Sequence, residues 1–111
     1  MIEEYKFGIF KIDGKEYAYD IKIADKVRHW PDRDGYDLKI EHVQELIDKK
    51  PEILIIGTGA NGMLNVPENI KNMLYIHKIK FFIEKNPKAV ELFNQYSKEK
   101  KRICAIFPAT C

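Results

Sequence analysis

Pro51-Glu52-Ile53-Leu54-Ile55-Ile56-Gly57-Thr58-Gly59-Ala60-Asn61-Gly62 is the stretch on which the fold turns. A proline, four consecutive aliphatic side chains and then three glycines within six residues describe a buried strand that empties into a tight loop. Four branched side chains in a row leave no polar face, so both faces of this strand must be covered. The glycines permit backbone angles and close approaches that other residues resist.

Downstream, strand and helix patterns alternate. Pro67 suits a first helical position and Glu68 a first turn. Ile70, Met73, Leu74 and His77 recur at helical spacing as a buried stripe, and residues 79–83 form a short apolar strand. Asn86-Pro87 reads as an N-cap followed by a first-turn proline, opening a helix whose inner face carries Ala89, Val90, Phe93 and Tyr96. Residues 103–107 supply a last strand. This is the pattern of βαβ units, with three parallel strands expected in the C-terminal half.

Upstream, Ile40, Val43, Leu46 and Ile47 predict a helix that ends near Lys49-Lys50 before Pro51. Residues 31–37 are the most polar stretch and predict a surface loop. A short strand is expected over 26–30. Residues 5–12 and 15–24 alternate as two strands joined by the turn signal Asp13-Gly14, giving an N-terminal hairpin or meander with one wetter face. The expected architecture is a single α/β domain over residues 1–111, with three layers, a mixed central sheet, a βαβαβ C-terminal half and an N-terminal β-hairpin.

Composition sets the outer limits. The 111 residues suffice for one core, and 45% hydrophobic with 32% charged residues is ordinary for a soluble globule. Nineteen basic against 17 acidic residues leave a net charge of +2, too balanced to favour nucleic acid. No apolar run approaches the ~20 residues that span a bilayer, and the acidic start Met1-Ile2-Glu3-Glu4 is unlike a signal peptide. Cys104 and Cys111 have neither disulfide-framework nor metal spacing, so a reducing, cytoplasmic location is the expectation. No cofactor and no metal are expected.

Gly57, Gly59 and Gly62 satisfy G-x-G-x-x-G after a strand, and Glu84 lies 22 residues beyond the last of them. Two facts oppose a dinucleotide site. Pro67 marks a helix start five residues after the motif, where a Rossmann helix would already be under way, and the chain is too short for a second mononucleotide half. A smaller ligand remains open for a geometric reason. Parallel C-terminal strands would gather Gly57, Thr58, Gly59, Asn61, Gly62, Asn86 and Cys111 at one rim, where loop N–H groups could hold an anion, and Asn94 would have to point into such a site. The competing reading is that these residues only form tight turns. Cys111, read as the last residue, would have its thiol beside a free carboxylate that raises its pKa, and Cys104 reads as a small core residue. His29, His42 and His77 are scattered, and no serine or cysteine sits in a nucleophile elbow. Arg28-His29-Trp30 is a candidate partner patch, with Trp30 either exposed there or capping the core.

Several of these pieces together resemble one family. They are Phe7-Gly8-Ile9, Gly14 with Tyr17 and Asp20, Trp30 before a polar loop, Pro51-Glu52 leading into Ile56-Gly57-Thr58-Gly59, Val66-Pro67, the Ala89…Phe93-Asn94 helix and Thr110-Cys111. Over nearly its whole length the chain is similar to the small Mth-type domain-of-unknown-function family, whose relatives include an adipogenesis-associated Mth-domain protein and mitochondrial complex I assembly factor three. The resemblance implies a three-layer fold with at least one antiparallel strand in the sheet, and it carries over no catalytic residue. Lys85-Asn86-Pro87 departs from the threonine-containing turn of relatives, and Pro108 from a histidine common near their C-terminus. The functional expectation is an interaction or assembly-type module with a protein partner, without nucleic acid or membrane. That module would have no catalytic activity; the alternative is a small-molecule or anion-binding protein, or an enzyme, with its site at the glycine rim.

Overall fold

A computed structural model describes all residues from Met1 to Cys111. The expected double-sided strand is β6 (Ile53–Gly57), every residue of which is buried. It pairs in parallel with β7 (Lys80–Glu84) on one side and β8 (Ile103–Phe107) on the other. The side chains of β6 alternate between two cores. Ile53 and Ile55 join Ala105, Phe107 and the inner face of α3 (Asn86–Lys98), whereas Leu54 and Ile56 join α1 (Ile40–Asp48) and α2 (Glu68–Ile76). That period-2 division explains the absence of a polar face in the sequence.

The chain steps from β6 out to β7 through α2, then back past β6 to β8 through α3. Two crossovers of one hand that step in opposite directions must lie on opposite faces, and the two helices do. The sheet order is β5-β4-β8-β6-β7, with β4 (Ile21–Ile23) antiparallel to both β8 and β5 (Val27–His29). The C-terminal strands are thus parallel as expected, and the sheet as a whole is mixed. Against α3 lies a separate antiparallel sheet of β1 (Ile2–Lys6), β2 (Ile9–Ile12) and β3 (Lys15–Tyr17). Ile2, Phe10 and Ile12 close the core on that side. No helix is long and apolar enough to cross a membrane.

Two expected strands are broken. Residues 5–12 do not run straight: the chain reverses at Phe7-Gly8, where Gly8 takes φ +88° and Lys6 faces Ile9 across the turn. Residues 15–24 divide at 18–20, so β3 stays in the small sheet and β4 enters the large one. Asp20 fixes that divide, its backbone carbonyl accepting from Trp30 N–H at 2.8 Å and its Oδ1 from Ala109 N–H at 2.7 Å. Pro67 is the N-cap of α2, one position before its expected place, and Lys85, not Asn86, caps α3. His77 is the exposed C-cap of α2 and contributes nothing to the buried stripe.

Strand β1 is tied to α3 by one side chain. Asn94 Oδ1 accepts Ile2 N–H, and Asn94 Nδ2 donates to Ile2 C=O, both at 2.8 Å, so the amide imitates a neighbouring strand. Replacing it leaves both partly buried backbone groups without a partner. Asn94→Ala is expected to cost about 1–3 kcal/mol in urea denaturation and to speed hydrogen exchange at the Ile2 amide. The exposed Asn69→Ala control is expected to stay within about 0.5 kcal/mol of the parent.

Candidate functional site

The parallel strands end together, with Gly57 opposite Glu84 and Ile56 opposite Ile106. Their following segments, residues 58–62, 85–86 and 108–111, therefore meet at one rim, and they close on each other. Thr58 N–H donates to Glu84 C=O at 2.9 Å, and Gly59 N–H to Asn86 Oδ1 at 3.0 Å. Ala60 N–H donates to Thr110 C=O at 2.9 Å, and Asn61 N–H to Cys111 C=O at 3.0 Å. Four consecutive amides that could have cradled an anion are engaged by the protein itself.

Asn86 is the centre of this closure. It is fully buried, its Nδ2 donates to Pro108 C=O at 2.6 Å, and its backbone N–H donates to Gly59 C=O at 3.0 Å. Gly57 exists to admit it: a Cβ there would strike Asn86 Oδ1 and lie 2.6 Å from the Phe107 ring. Gly59 combines φ +97° with a Cβ position 2.5 Å from Thr110 O. Both glycines thus have internal reasons to be glycine.

Ala109 is clamped from the other side. Its carbonyl accepts from Tyr5 Oη–H and Gly8 N–H, both at 2.8 Å, while its N–H reaches Asp20 Oδ1. Burial pushes the Tyr5 phenol up, so it remains a donor. Asp20 Oδ2 holds Arg33 Nε at 2.7 Å, which fixes the Arg33 guanidinium more firmly in its charged form. Arg33 Nη1 also reaches Gly35 C=O at 3.0 Å and Cys111 Sγ at 3.4 Å. Burial raises the Cys111 thiol despite the guanidinium, and burial likewise raises Cys104, so neither is a thiolate at neutral pH.

Beside this network lies an open concavity of about 590 Å³, lined by Phe7, Arg33, Gly35, Tyr36, Asn61, Met63, Thr110 and Cys111. Phe7, Tyr36 and Met63 are 66%, 50% and 48% exposed. They come from the β1–β2 turn, the polar loop and the glycine loop. The polar loop is held rigidly. Asn65 N–H donates to Tyr36 C=O at 2.6 Å, and Leu38 N–H to Asn65 C=O at 2.9 Å. His42 is buried beneath that loop. Its Nδ1 accepts Lys39 N–H at 3.0 Å and its Nε2 meets Asp32 C=O at 2.9 Å; an obligate donor on one side and an obligate acceptor on the other fix the Nε2–H tautomer.

The sequence-derived candidates divide accordingly. Gly57, Thr58, Gly59 and Asn86 are buried in the closure, Asn61 is exposed and Gly62 half-buried at its margin, and Cys111, itself buried, borders the concavity. Asn94 does not point to the rim, because its amide is committed to Ile2. Arg28 and His29 are exposed on β5, but Trp30 is not part of any surface patch. It is 1% exposed and packs edge-on to His42 with ring centroids 5.2 Å apart. Arg28 shares Glu45 with Lys22, whose Nζ lies 2.7 Å from Glu45 Oε1 and whose pKa burial lowers. Sequence reasoning missed Asp20, Arg33, Tyr36 and Met63 as rim residues. Phe7 was missed as well, because residues 5–12 read as one continuous strand; the one local signal there was the glycine beside it.

Solved structures with this fold are numerous. A conserved hypothetical protein from Pyrococcus horikoshii OT3 is 28% identical and superposes with a TM-score of 0.87, covering 100% of this chain and 99% of its own. A protein described as an outer membrane protein from Bartonella henselae is 25% identical with a TM-score of 0.81, the coverage being 99% and 94%. A Bordetella pertussis protein described as an Mth938-like domain shares the fold alone, at 16% identity and TM-score 0.68 over 97% of this chain and 84% of that one. The resemblance to an Mth-type domain seen in the sequence agrees with that description. Residues 2–108 match the family described as protein of unknown function (DUF498/DUF598), and the chain belongs to that family.

Proposed function

We propose that the chain is a protein-binding module of the assembly type, whose working surface is the concavity between Phe7, Tyr36 and Met63. The observation that carries this is convergence. Three of the most exposed large hydrophobic side chains arrive from three separate segments at one place. Scattered exposed apolar residues need no explanation, but a cluster on anchored loops does. The loops are already ordered by Asn65, His42 and the Asp20–Arg33 pair, so little conformational entropy is lost on binding. Arg33 Nη2 makes no hydrogen bond within the chain, which leaves a charged donor for a carbonyl or carboxylate on an apolar partner segment. The resemblance to an assembly factor favours the same reading, and two unpaired thiols fit a cytoplasmic location.

A photo-crosslinking residue at position 36 or 63, expressed in the native host, is expected to yield a discrete protein adduct that the same residue at exposed Asp48 does not. Phe7→Ser is expected to abolish that adduct while changing stability by less than about 0.5 kcal/mol. Absence of any protein adduct, with a small molecule retained in native mass spectrometry, would move the function to the alternative ligand site.

The glycine loop is expected to act as scaffold. Asn86→Ala strips partners from the buried Gly59 N–H and Pro108 C=O and is expected to cost about 2–4 kcal/mol in denaturant titration. Gly59→Val is expected to prevent stable folding. An Asn86→Ala protein of parental stability that had lost its adduct would instead make Asn86 a contact residue.

A further inference from the structure

The large sheet has two free edges, and they differ in kind. β5 is three residues long and carries exposed Arg28 and His29, a blunted edge of the sort that resists pairing. β7 is five residues long and pairs with β6 in unbroken register, with no proline, glycine or bulge. Its sequence is Lys80-Phe81-Phe82-Ile83-Glu84, with opposite charges at its two ends and only apolar residues between.

We propose that β7 pairs antiparallel with β7 of a second copy of this chain, about a two-fold axis through Phe82, joining the two large sheets into one. Turned on itself about Phe82, the strand sets Lys80 opposite Glu84 of the other copy, twice, and Phe81 opposite Ile83, twice. Opposite-charge and aromatic–branched cross-strand pairs both favour that register over its neighbours. A C2 pairing of this kind is self-complementary and closed, so it does not propagate into fibres.

The backbone agrees with the same register. Lys80 N–H donates inward to Glu52 C=O, and Glu84 C=O accepts inward from Thr58 N–H. In a parallel pair, alternate residues face the neighbouring strand, so the amide and carbonyl of Phe81 and Ile83 face outward. An axis through Phe82 makes Phe81 and Ile83 of opposite copies the hydrogen-bonded pairs, and Phe82 meets its equivalent at a close, non-hydrogen-bonded position. Charge, side-chain pairing and hydrogen bonding therefore select one alignment.

Both flanks of the edge are prepared. On one face Phe82 stacks on Tyr96 with centroids 5.6 Å apart, and Lys80 Nζ lies over the two rings at 5.4 and 5.5 Å. On the other, Tyr75 of α2 meets Phe81 edge-on at 5.3 Å and stays 66% exposed, with Ile76 beside it 77% exposed. Phe81, Phe82 and Ile83 themselves are only half-buried. A second copy would cover the apolar surface that the fold leaves beside this edge.

Sedimentation equilibrium over about 1 μM to 1 mM is expected to show a monomer–dimer equilibrium. Lys80→Glu and Glu84→Lys each place two like-charge pairs across the axis and are each expected to weaken the dimer by about tenfold. The Lys80→Glu/Glu84→Lys double variant restores opposite charges and is expected to recover it. Both side chains are exposed, and unchanged circular dichroism separates a lost interface from a lost fold. The Phe81 and Ile83 amides are expected to gain protection from hydrogen exchange as concentration rises. A monomer throughout the range, a dimer indifferent to both single reversals, or freely exchanging edge amides in the dimer would each overturn the proposal. A different protein's strand protecting those amides in a strictly monomeric chain would overturn it as well.

Discussion

Burial of β6 on both faces is the constraint from which the rest follows. A strand with no polar side can exist only between two strands and beneath two layers. β7 and β8 satisfy its edges, α1 and α2 cover Leu54 and Ile56, and α3 covers Ile53 and Ile55. The small N-terminal sheet then has a defined task. One helix does not cover the α3 side of the large sheet, and Ile2, Phe10 and Ile12 complete that core. Tyr5, Phe10 and Phe107 form an aromatic chain across the junction, with centroids 4.8 and 5.5 Å apart.

The same constraint determines what happens at the carboxyl ends of the strands. Open α/β sheets place their crevices there, where the connections diverge to opposite faces. Here the crevice is filled from within. Asn86 enters from the start of α3, residues 108–111 fold back over it, and the glycine loop donates its amides to both. A G-x-G sequence can serve an external phosphate or an internal backbone by the same physics, since both need close approach and exposed N–H groups. Which one it serves depends on what lies opposite the loop, and opposite this loop lie the chain's own residues 108–111.

Local periodicity carried much of the fold. All three helices and the three C-terminal strands follow from spacing, proline position and the unbroken run at 53–56. Sheet membership did not follow, because it is decided by contacts distant in sequence. Residues 15–24 alternate continuously, yet Asp20 divides them by holding Trp30 and Ala109, partners 10 and 89 positions away. Trp30 reads equally as an exposed aromatic or as a core cap until α1 and Leu38 are seen to enclose it. Asn94 reads as a candidate rim residue, and only the placement of β1 shows that its amide serves Ile2 instead. The rim was legible as a place, from Gly57, Asn86 and Cys111, but its chemistry was not. The residues that give the concavity its character sit in a turn and a polar loop, where no periodicity marks them.

The two surfaces that remain after folding are consistent with the way the interior is built. The fold satisfies its polar groups closely: among buried side-chain nitrogen and oxygen atoms, only Trp30 Nε1 has no partner. Unpaired backbone and exposed apolar side chains therefore lie on the outside, and the rim and β7 are two of the places where they gather. At the rim it is apolar side chains on anchored loops, a form of surface that in the proposed function meets a partner by shape and by the Arg33 charge. At β7 it is backbone, an unpaired ladder whose ends carry opposite charges, a form of surface that in the proposed dimer meets its own copy by register. The proposed rim interface depends on relief and the Arg33 charge, whereas the proposed β7 pairing depends on a strand that places its charges in reverse order. The two proposed interfaces are compatible in one chain, because the rim residues Phe7, Tyr36 and Met63 belong to segments other than β7.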